Sequence, residues 1–135
     1  MCWSSKTLEK RIATEDIKTF KVGFVKGTML YSYYRWFHYD INRLYETTIY
    51  PDDIERLYRI YTGFHSYSHK KCSYFCKTED RHINVQSKIN GKLIDRYYDN
   101  DIMIFECTIP KGTEYYKNER GEIVSEAIII NKIIE

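Results

Sequence analysis

The chain has 135 residues, of which 43% are apolar and 30% are charged, and its formal net charge is +2. This length suits one domain with a single core over residues 1–135. The apolar content is too high for an intrinsically disordered chain. The longest fully apolar run is 127–130, far shorter than the ~20 residues of a membrane span.

Charge is unevenly distributed along the chain. Residues 1–100 carry 17 basic and 12 acidic side chains, whereas residues 101–135 carry 4 and 7. This imbalance is weaker than the clustered basic surface of a duplex-binding domain, so we expect a small anion rather than long nucleic acid as the ligand. The N-terminus has no apolar leader, which predicts a cytoplasmic protein without membrane contact. Its four cysteines are then expected to be reduced: Cys2, Cys72, Cys76 and Cys107.

The first part of the chain predicts strands around an aromatic segment. Residues 1–16 are polar and are expected to form an arm or a leading turn. Residues 17–25 alternate as a strand does, and residues 40–49 are rich in β-branched and aromatic side chains. Between them, residues 30–39 form the most aromatic stretch of the chain.

A short helix is predicted over residues 50–62. Pro51 and two following aspartates suit the first turn of a helix, where the missing N–H is tolerated and the dipole favours acids. Apolar residues at 54, 57, 58 and 61 share one helical face, and Gly63 ends the element. A strand from residue 57 to residue 64 is the alternative.

A second helix over residues 67–77 would align His65, His69, Cys72 and Cys76 along one stripe. At ~1.5 Å per residue this stripe spans roughly 16 Å. One zinc ion needs all its ligands at about 2.0–2.3 Å. We therefore predict no metal site and no cofactor.

The second part of the chain predicts hairpins and a buried strand. The Asn-Gly pair at 90–91 separates two strand-like runs, residues 83–89 and 93–98, and is a strong hairpin signal. Residues 102–109 read as a buried strand that ends at Pro110, and residues 123–134 close the chain as a strand or strand pair. The fold class expected from these elements is α+β, a mostly antiparallel twisted sheet with one or two short helices.

The candidate binding residues lie in the aromatic segment and in residues 63–70. The chain has 14 tyrosines, which favour interfaces and base stacking but also suit half-buried strand positions. We assign stacking to Tyr33, Tyr34, Trp36 and Tyr67, phosphate contacts to Arg35, Lys70 and Arg81, and polar or close backbone contacts to Gly63, His65 and Ser66.

Two motifs, GFHS at 63–66 and C-x-IPKGT-x-YY at 107–116, occur together with the FKV strand at 20–22. In this combination the chain resembles a family of small uncharacterised proteins from bacteriophages and gut bacteria. The resemblance implies a phage accessory protein that acts on host defence, for example by capturing a nucleotide signal.

A looser, local resemblance involves residues 109–113 and Glu126, which precedes an apolar strand. These segments are similar to the closing part of ADP-ribosyltransferases, whose fold the chain would then share. The resemblance implies that Glu126 orients a ribose, that Ser66 and Ser68 stand for the family's serine strand, and that Lys21 takes the place of its basic residue. Val124 departs from the pattern, because an acid or glutamine is expected there.

The function predicted is the sequestration of a small nucleotide-derived signal, such as a cyclic ADP-ribose or a cyclic dinucleotide, by a homodimer whose tyrosine-rich surfaces associate. One alternative is a nucleotide-processing enzyme. It would be either a metal-independent phosphodiesterase using His65 with His69 or His82, or a transferase using Glu126. The other alternative is an inhibitor module that binds a host protein.

Overall fold

A computed structural model describes residues 3–27, 29–32, 37–54, 57–70, 88–89, 92–93 and 102–134. Strands dominate these residues, and Lys70 is the only described residue in a helical conformation. Every strand pair among them is antiparallel. The predicted antiparallel sheet is therefore confirmed.

The described residues form fifteen strands. In chain order they are β1 (Trp3–Ser5), β2 (Arg11–Ile12), β3 (Ile17–Lys26), β4 (Met29–Ser32), β5 (His38–Tyr39), β6 (Leu44–Glu46), β7 (Pro51–Ile54), β8 (Leu57–Ile60), β9 (Phe64–Tyr67), β10 (Lys88–Ile89), β11 (Lys92–Leu93), β12 (Ile102–Ile109), β13 (Glu114–Lys117), β14 (Glu122–Ser125) and β15 (Ala127–Ile133).

The largest sheet has ten strands. Eight follow the order β2-β13-β14-β9-β3-β12-β15-β6, while β4 pairs with β3 and β5 pairs with β4. Strand β3 is central because both of its edges are used. One edge pairs with β12 along its length, and the other is shared between β9 at Phe20 and β4 at residues 23–26. The strands predicted at 17–25 and 102–109 are therefore confirmed and lie side by side.

The helix predicted over residues 50–62 is wrong. This segment forms the hairpin β7–β8, in which Pro51 pairs with Ile60, and β1 adds a third strand on the far edge of β8. Tertiary packing overrides the helical spacing, because Ile60 is fully buried with Trp3 and Val124 only in the extended conformation of this sheet. Pro51 is tolerated because it stands first in an edge strand.

Within the segment predicted as an arm or leading turn, residues 3–16 contain two strands. Strand β1 pairs with β8, and β2 pairs with β13 at the end of the large sheet. Trp3 is 1% exposed, and its indole Nε1 donates a hydrogen bond to the Glu122 carbonyl oxygen at 3.0 Å. Burying this ring contributes roughly 1.5–3 kcal/mol, which holds the segment against the sheet.

The hairpin predicted around residues 90–91 is confirmed, since β10 and β11 pair on either side of them. The chain also closes with two strands, β14 and β15, which pair with other strands of the large sheet and not with each other. Of the helix predicted over 67–77, Tyr67 lies in β9, and residues 71–77 lie outside the described part of the chain. No helix among the described residues is long and apolar enough to cross a membrane.

The inner face of the large sheet carries two apolar clusters with polar residues between them. Thr19 and Lys21 of β3 stand opposite Cys107 and Phe105 of β12, and Ser66 of β9 stands opposite Ile123 of β14. The first cluster comprises Leu30, Tyr39, Phe64, Phe105, Cys107, Ile128 and Ile130, and the second comprises Ala13, Ile109 and Ile123.

Candidate functional site

The side chain of Lys21 lies inside the sheet's inner face, where it is 8% exposed. Its Nζ donates a hydrogen bond to the His65 carbonyl oxygen at 2.7 Å and stands 5.8 Å from the centre of the Tyr39 ring. Within the described part of the chain no carboxylate pairs with it. Lys21 is thus a buried ammonium group that lacks a counterion there.

Burial lowers the pKa of Lys21 to about 8, because removal from water disfavours the charged form. A coulombic interaction with Cys107 opposes this change only in part. The amine is consequently much closer to its neutral form near physiological pH than an exposed lysine would be.

Three hydroxyl groups line the sheet beside Lys21. Phe20 pairs with Tyr67, and continuing this antiparallel register by one residue on either side places Ser66 opposite Lys21 and Ser68, just after β9, opposite Thr19. Thr19 and Ser66 are both 0% exposed. The hydroxyl oxygens of Thr19, Ser66 and Ser68 are buried without a hydrogen-bond partner among the described residues. We call these three residues and Lys21 the Lys21 cluster.

Cys107 borders the Lys21 cluster on the β12 side, opposite Thr19. It is a free cysteine, fully buried, and its thiol donates a weak hydrogen bond to the Phe105 carbonyl oxygen at 3.7 Å. Burial raises the pKa of the Cys107 thiol to about 12. The thiol therefore stays protonated and neither balances the charge of Lys21 nor acts as a nucleophile.

No family model, curated protein or solved structure matches this chain. Its site is interpreted from geometry alone.

Two of the predicted binding residues meet Lys21. Ser66 belongs to the Lys21 cluster, and His65 contributes its backbone carbonyl, whereas strand alternation directs its imidazole to the opposite face of β9. Tyr67, predicted to stack on a base, is 5% exposed and pairs with Phe20. Its ring is therefore mostly enclosed by protein.

Gly63 serves packing at the turn between β8 and β9. Its φ of +89° is in the left-handed region, and a Cβ there would lie 2.7 Å from Val124 Cγ2 and 3.0 Å from Ile49 Cγ1. The absence of a side chain at Gly63 thus lets the backbone pack closely against Val124 and Ile49, which belong to the same buried cluster as Trp3.

The other predicted site residues are spread beyond the Lys21 cluster. His69 is exposed and Lys70 is half-buried, both just after β9. Outside the described residues lie Tyr33, Tyr34, Arg35, Trp36, Arg81 and His82.

Glu126 lies at a different place. It lines a groove of about 480 Å³ beside the turn after β12, and its carboxylate accepts a hydrogen bond from the Ile49 backbone N–H at 3.4 Å. Glu114 also lines this groove and is paired with Lys10 at 2.9 Å. The groove's full lining is Leu44, Glu46, Thr47, Pro110, Lys111, Gly112, Thr113, Glu114, Glu126 and Ala127.

The sequence pointed to Lys21 and Ser68 only through the transferase resemblance, and Thr19 was missed. In β3 the larger apolar residues occupy the even positions, as in Phe20 and Val22, which predicts that Thr19 and Lys21 face solvent. Both faces of β3 are in fact covered. A central strand with two covered faces gives no alternation signal that would mark Thr19 as buried.

Proposed function

We propose that the protein binds a small nucleotide-derived anion at the Lys21 cluster and holds it without turning it over. The observation that carries this proposal is a buried lysine amine on the same face of the sheet as three hydroxyls that have no hydrogen-bond partner among the described residues. A buried charge without a counterion is costly, and so is each unpaired buried hydroxyl. A bound anion would relieve both costs at once.

The chemistry of the cluster favours an oxyanion such as phosphate. Lys21 can only donate hydrogen bonds, and Thr19, Ser66 and Ser68 can each donate one. Alternate residues of a strand are ~6.7 Å apart and opposing strands ~5 Å apart, so the Cα atoms of these four residues outline an area about the size of one phosphate group. Charge-assisted bonds to Lys21 would supply most of the affinity.

Nucleotide recognition in this proposal also uses the aromatic segment around residues 33–36, whose rings and Arg35 suit a base and a second phosphate. The ligand class is then a cyclic ADP-ribose or a cyclic dinucleotide, and its capture would counteract host defence signalling. A dimer with its ligand at the two-fold interface would let two copies contribute such side chains.

Two observations favour capture over turnover. Glu126, the residue a transferase would need, lies in a groove that none of the Lys21 cluster residues lines. His65 directs its imidazole to the face of β9 away from Lys21 and Ser66. Glu126 and the imidazole of His65 therefore do not face an anion bound at Lys21.

The test is incubation of the full chain with cyclic dinucleotides and cyclic ADP-ribose species, followed by removal of free ligand, heating and chromatography of the supernatant. An intact nucleotide released on heating is the expected result. A chemically altered nucleotide would instead establish an enzyme, and absence of any nucleotide would leave only the inhibitor module.

The site itself is tested with the matched variants Lys21→Met and Lys18→Met, since both residues lie on β3 but Lys18 is exposed and paired with Glu106 at 3.5 Å. Lys21→Met should weaken binding at least tenfold, about 1.4 kcal/mol, and Lys18→Met should leave it unchanged. Equal binding by both variants would remove Lys21 from the site.

A further inference from the structure

The amine of Lys21 has a different environment from that of an ordinary surface lysine. It lacks a carboxylate partner within the described residues, and there it donates one hydrogen bond, to a backbone carbonyl. A carbonyl oxygen accepts a hydrogen bond from NH₂ as well as from NH₃⁺, although more strongly from the charged group, so this bond can hold the side chain in place in either protonation state. Desolvated lysines of this kind are the ones that act as nucleophiles toward carbonyl compounds.

Lys21 is the strongest nucleophile among the side chains in and around the Lys21 cluster. The pKa of Lys21, lowered by burial to about 8, gives a substantial neutral fraction near that pH. By contrast, burial raises the pKa of Cys107 to about 12, so the thiol does not compete. The hydroxyl of Ser66, opposite Lys21, can donate its one hydrogen bond to a phosphate oxygen of a ligand whose carbonyl carbon lies at Nζ.

We propose that Lys21 forms a reversible imine with the aldehyde of a ring-opened sugar phosphate whose phosphate occupies the hydroxyls of Thr19, Ser66 and Ser68. This inference rests on the proposed anion site, because the phosphate brings the aldehyde to the amine. The ligand class is a phosphorylated ribose with a free anomeric carbon, as in ribose 5-phosphate or ADP-ribose.

The reaction balances without a redox partner. The neutral Nζ lone pair attacks the aldehyde carbon, a C–N bond forms, and the carbonyl oxygen takes up a proton that the nitrogen gives up. The resulting carbinolamine then loses its hydroxyl group with one proton as water and becomes a C=N bond. Addition of water reverses the sequence and releases the unchanged sugar phosphate.

Trapping the imine tests this assignment. The full chain is incubated with ribose 5-phosphate or ADP-ribose near pH 8 in the presence of sodium cyanoborohydride, and the labelled residue is located by intact mass and peptide mapping. One ligand per chain on the peptide that contains Lys21 is expected, with excess inorganic phosphate reducing the yield. Glycerol 3-phosphate, which lacks a carbonyl, should give no adduct.

Lys21→Arg separates this inference from the anion site. Arginine keeps the positive charge but forms no stable imine under these conditions, so this variant should still be stabilised by inorganic phosphate and should give no adduct at position 21. Lys18→Met should label like the parent chain. Mapping the adduct in the unmodified protein does not depend on how any variant folds.

The possible results discriminate clearly. Labelling spread evenly over surface lysines, or none at Lys21, overturns the imine. If phosphate still stabilises the protein in that case, the anion site stands without it. If phosphate has no effect and no adduct forms, the imine and the proposed function fall together.

Discussion

Two polar clusters of this protein differ in how completely their hydrogen bonds are made. The first, which we call the clamp, consists of Ser4, Asn118, Arg120 and Glu122 and joins β1 to the turn before β14. Asn118 Nδ2 donates to the Ser4 carbonyl oxygen at 3.0 Å and to Glu122 Oε1 at 3.1 Å. Arg120 Nε also donates to Glu122 Oε1, and its NH2 group donates to the Ser4 carbonyl oxygen at 3.1 Å.

The Lys21 cluster is more deeply buried than the clamp, in which the Arg120 side chain is 55% exposed, but its hydrogen bonds are incomplete among the described residues. Three of its four side chains carry hydroxyls without partners among the described residues. Each such group costs about 1–3 kcal/mol relative to a paired one. The clamp stabilises the fold, whereas the Lys21 cluster lowers stability. This contrast is the reason for assigning ligand binding to the second.

The largest effect is expected from breaking the clamp. Glu122→Ala removes the acceptor shared by Asn118 and Arg120, so the free energy of unfolding should fall by roughly 3 kcal/mol. Urea or guanidinium unfolding followed by circular dichroism measures it. The control is Glu119→Ala, an exposed carboxylate that accepts one bond from Ser5 at 3.3 Å, which should give no measurable change. A Glu122→Ala protein as stable as the parent would show that the clamp is not structural.

Parts of the fold that depend on local chemistry were predictable. Strands 17–25 and 102–109 have strand composition throughout, and the Asn-Gly pair at 90–91 fixes a two-residue hairpin. The prediction for residues 50–62 was wrong, because their apolar spacing fits a helix as well as a strand. Distant residues select the hairpin, since Trp3 and Val124 pack with Ile60. A contact so remote in sequence gives no local signal.

The site was predictable only in part for the same reason. Ser66 drew attention through its polar and aromatic neighbours, but its partner across the sheet is Lys21, 45 positions earlier in the chain. Thr19 looks like any solvent-facing strand residue. Burial on both faces of β3 arises from pairing with β9 and β12, and one sequence does not reveal that pairing.

The second-largest effect is a pH dependence of the free energy of unfolding, which is measured by comparing the parent protein with the neutral variant Lys21→Met. Lys21 has a pKa of about 8 in the folded protein and 10.5 as its ordinary value. The unfolded chain therefore binds more protons between these values, and stability of the parent protein rises with pH there. Relative to Lys21→Met, it should gain about 2 kcal/mol between about pH 7.5 and about pH 10.

Parallel denaturant titrations of the parent and the Lys21→Met variant in phosphate-free buffer measure this difference, and the subtraction removes the titration of all other groups. At neutral pH the variant should be the more stable protein, because it buries no charge. A difference that stays constant with pH would mean that Lys21 is solvated or paired in the folded protein.

The smallest effect comes from two serines that are both 0% exposed but differ in bonding. Ser66 Oγ lacks a partner among the described residues, whereas Ser125 Oγ donates to the Ala127 carbonyl oxygen at 2.9 Å. Ser66→Ala should raise the free energy of unfolding by about 1 kcal/mol, and Ser125→Ala should lower it by about 1 kcal/mol. Both are read from denaturant midpoints without phosphate. Saturating phosphate should then shrink the advantage of Ser66→Ala, since the parent serine gains a partner that alanine lacks. If the two variants shift stability in the same direction, the hydroxyls of the Lys21 cluster are satisfied, and the distinction between the clamp and the Lys21 cluster is lost.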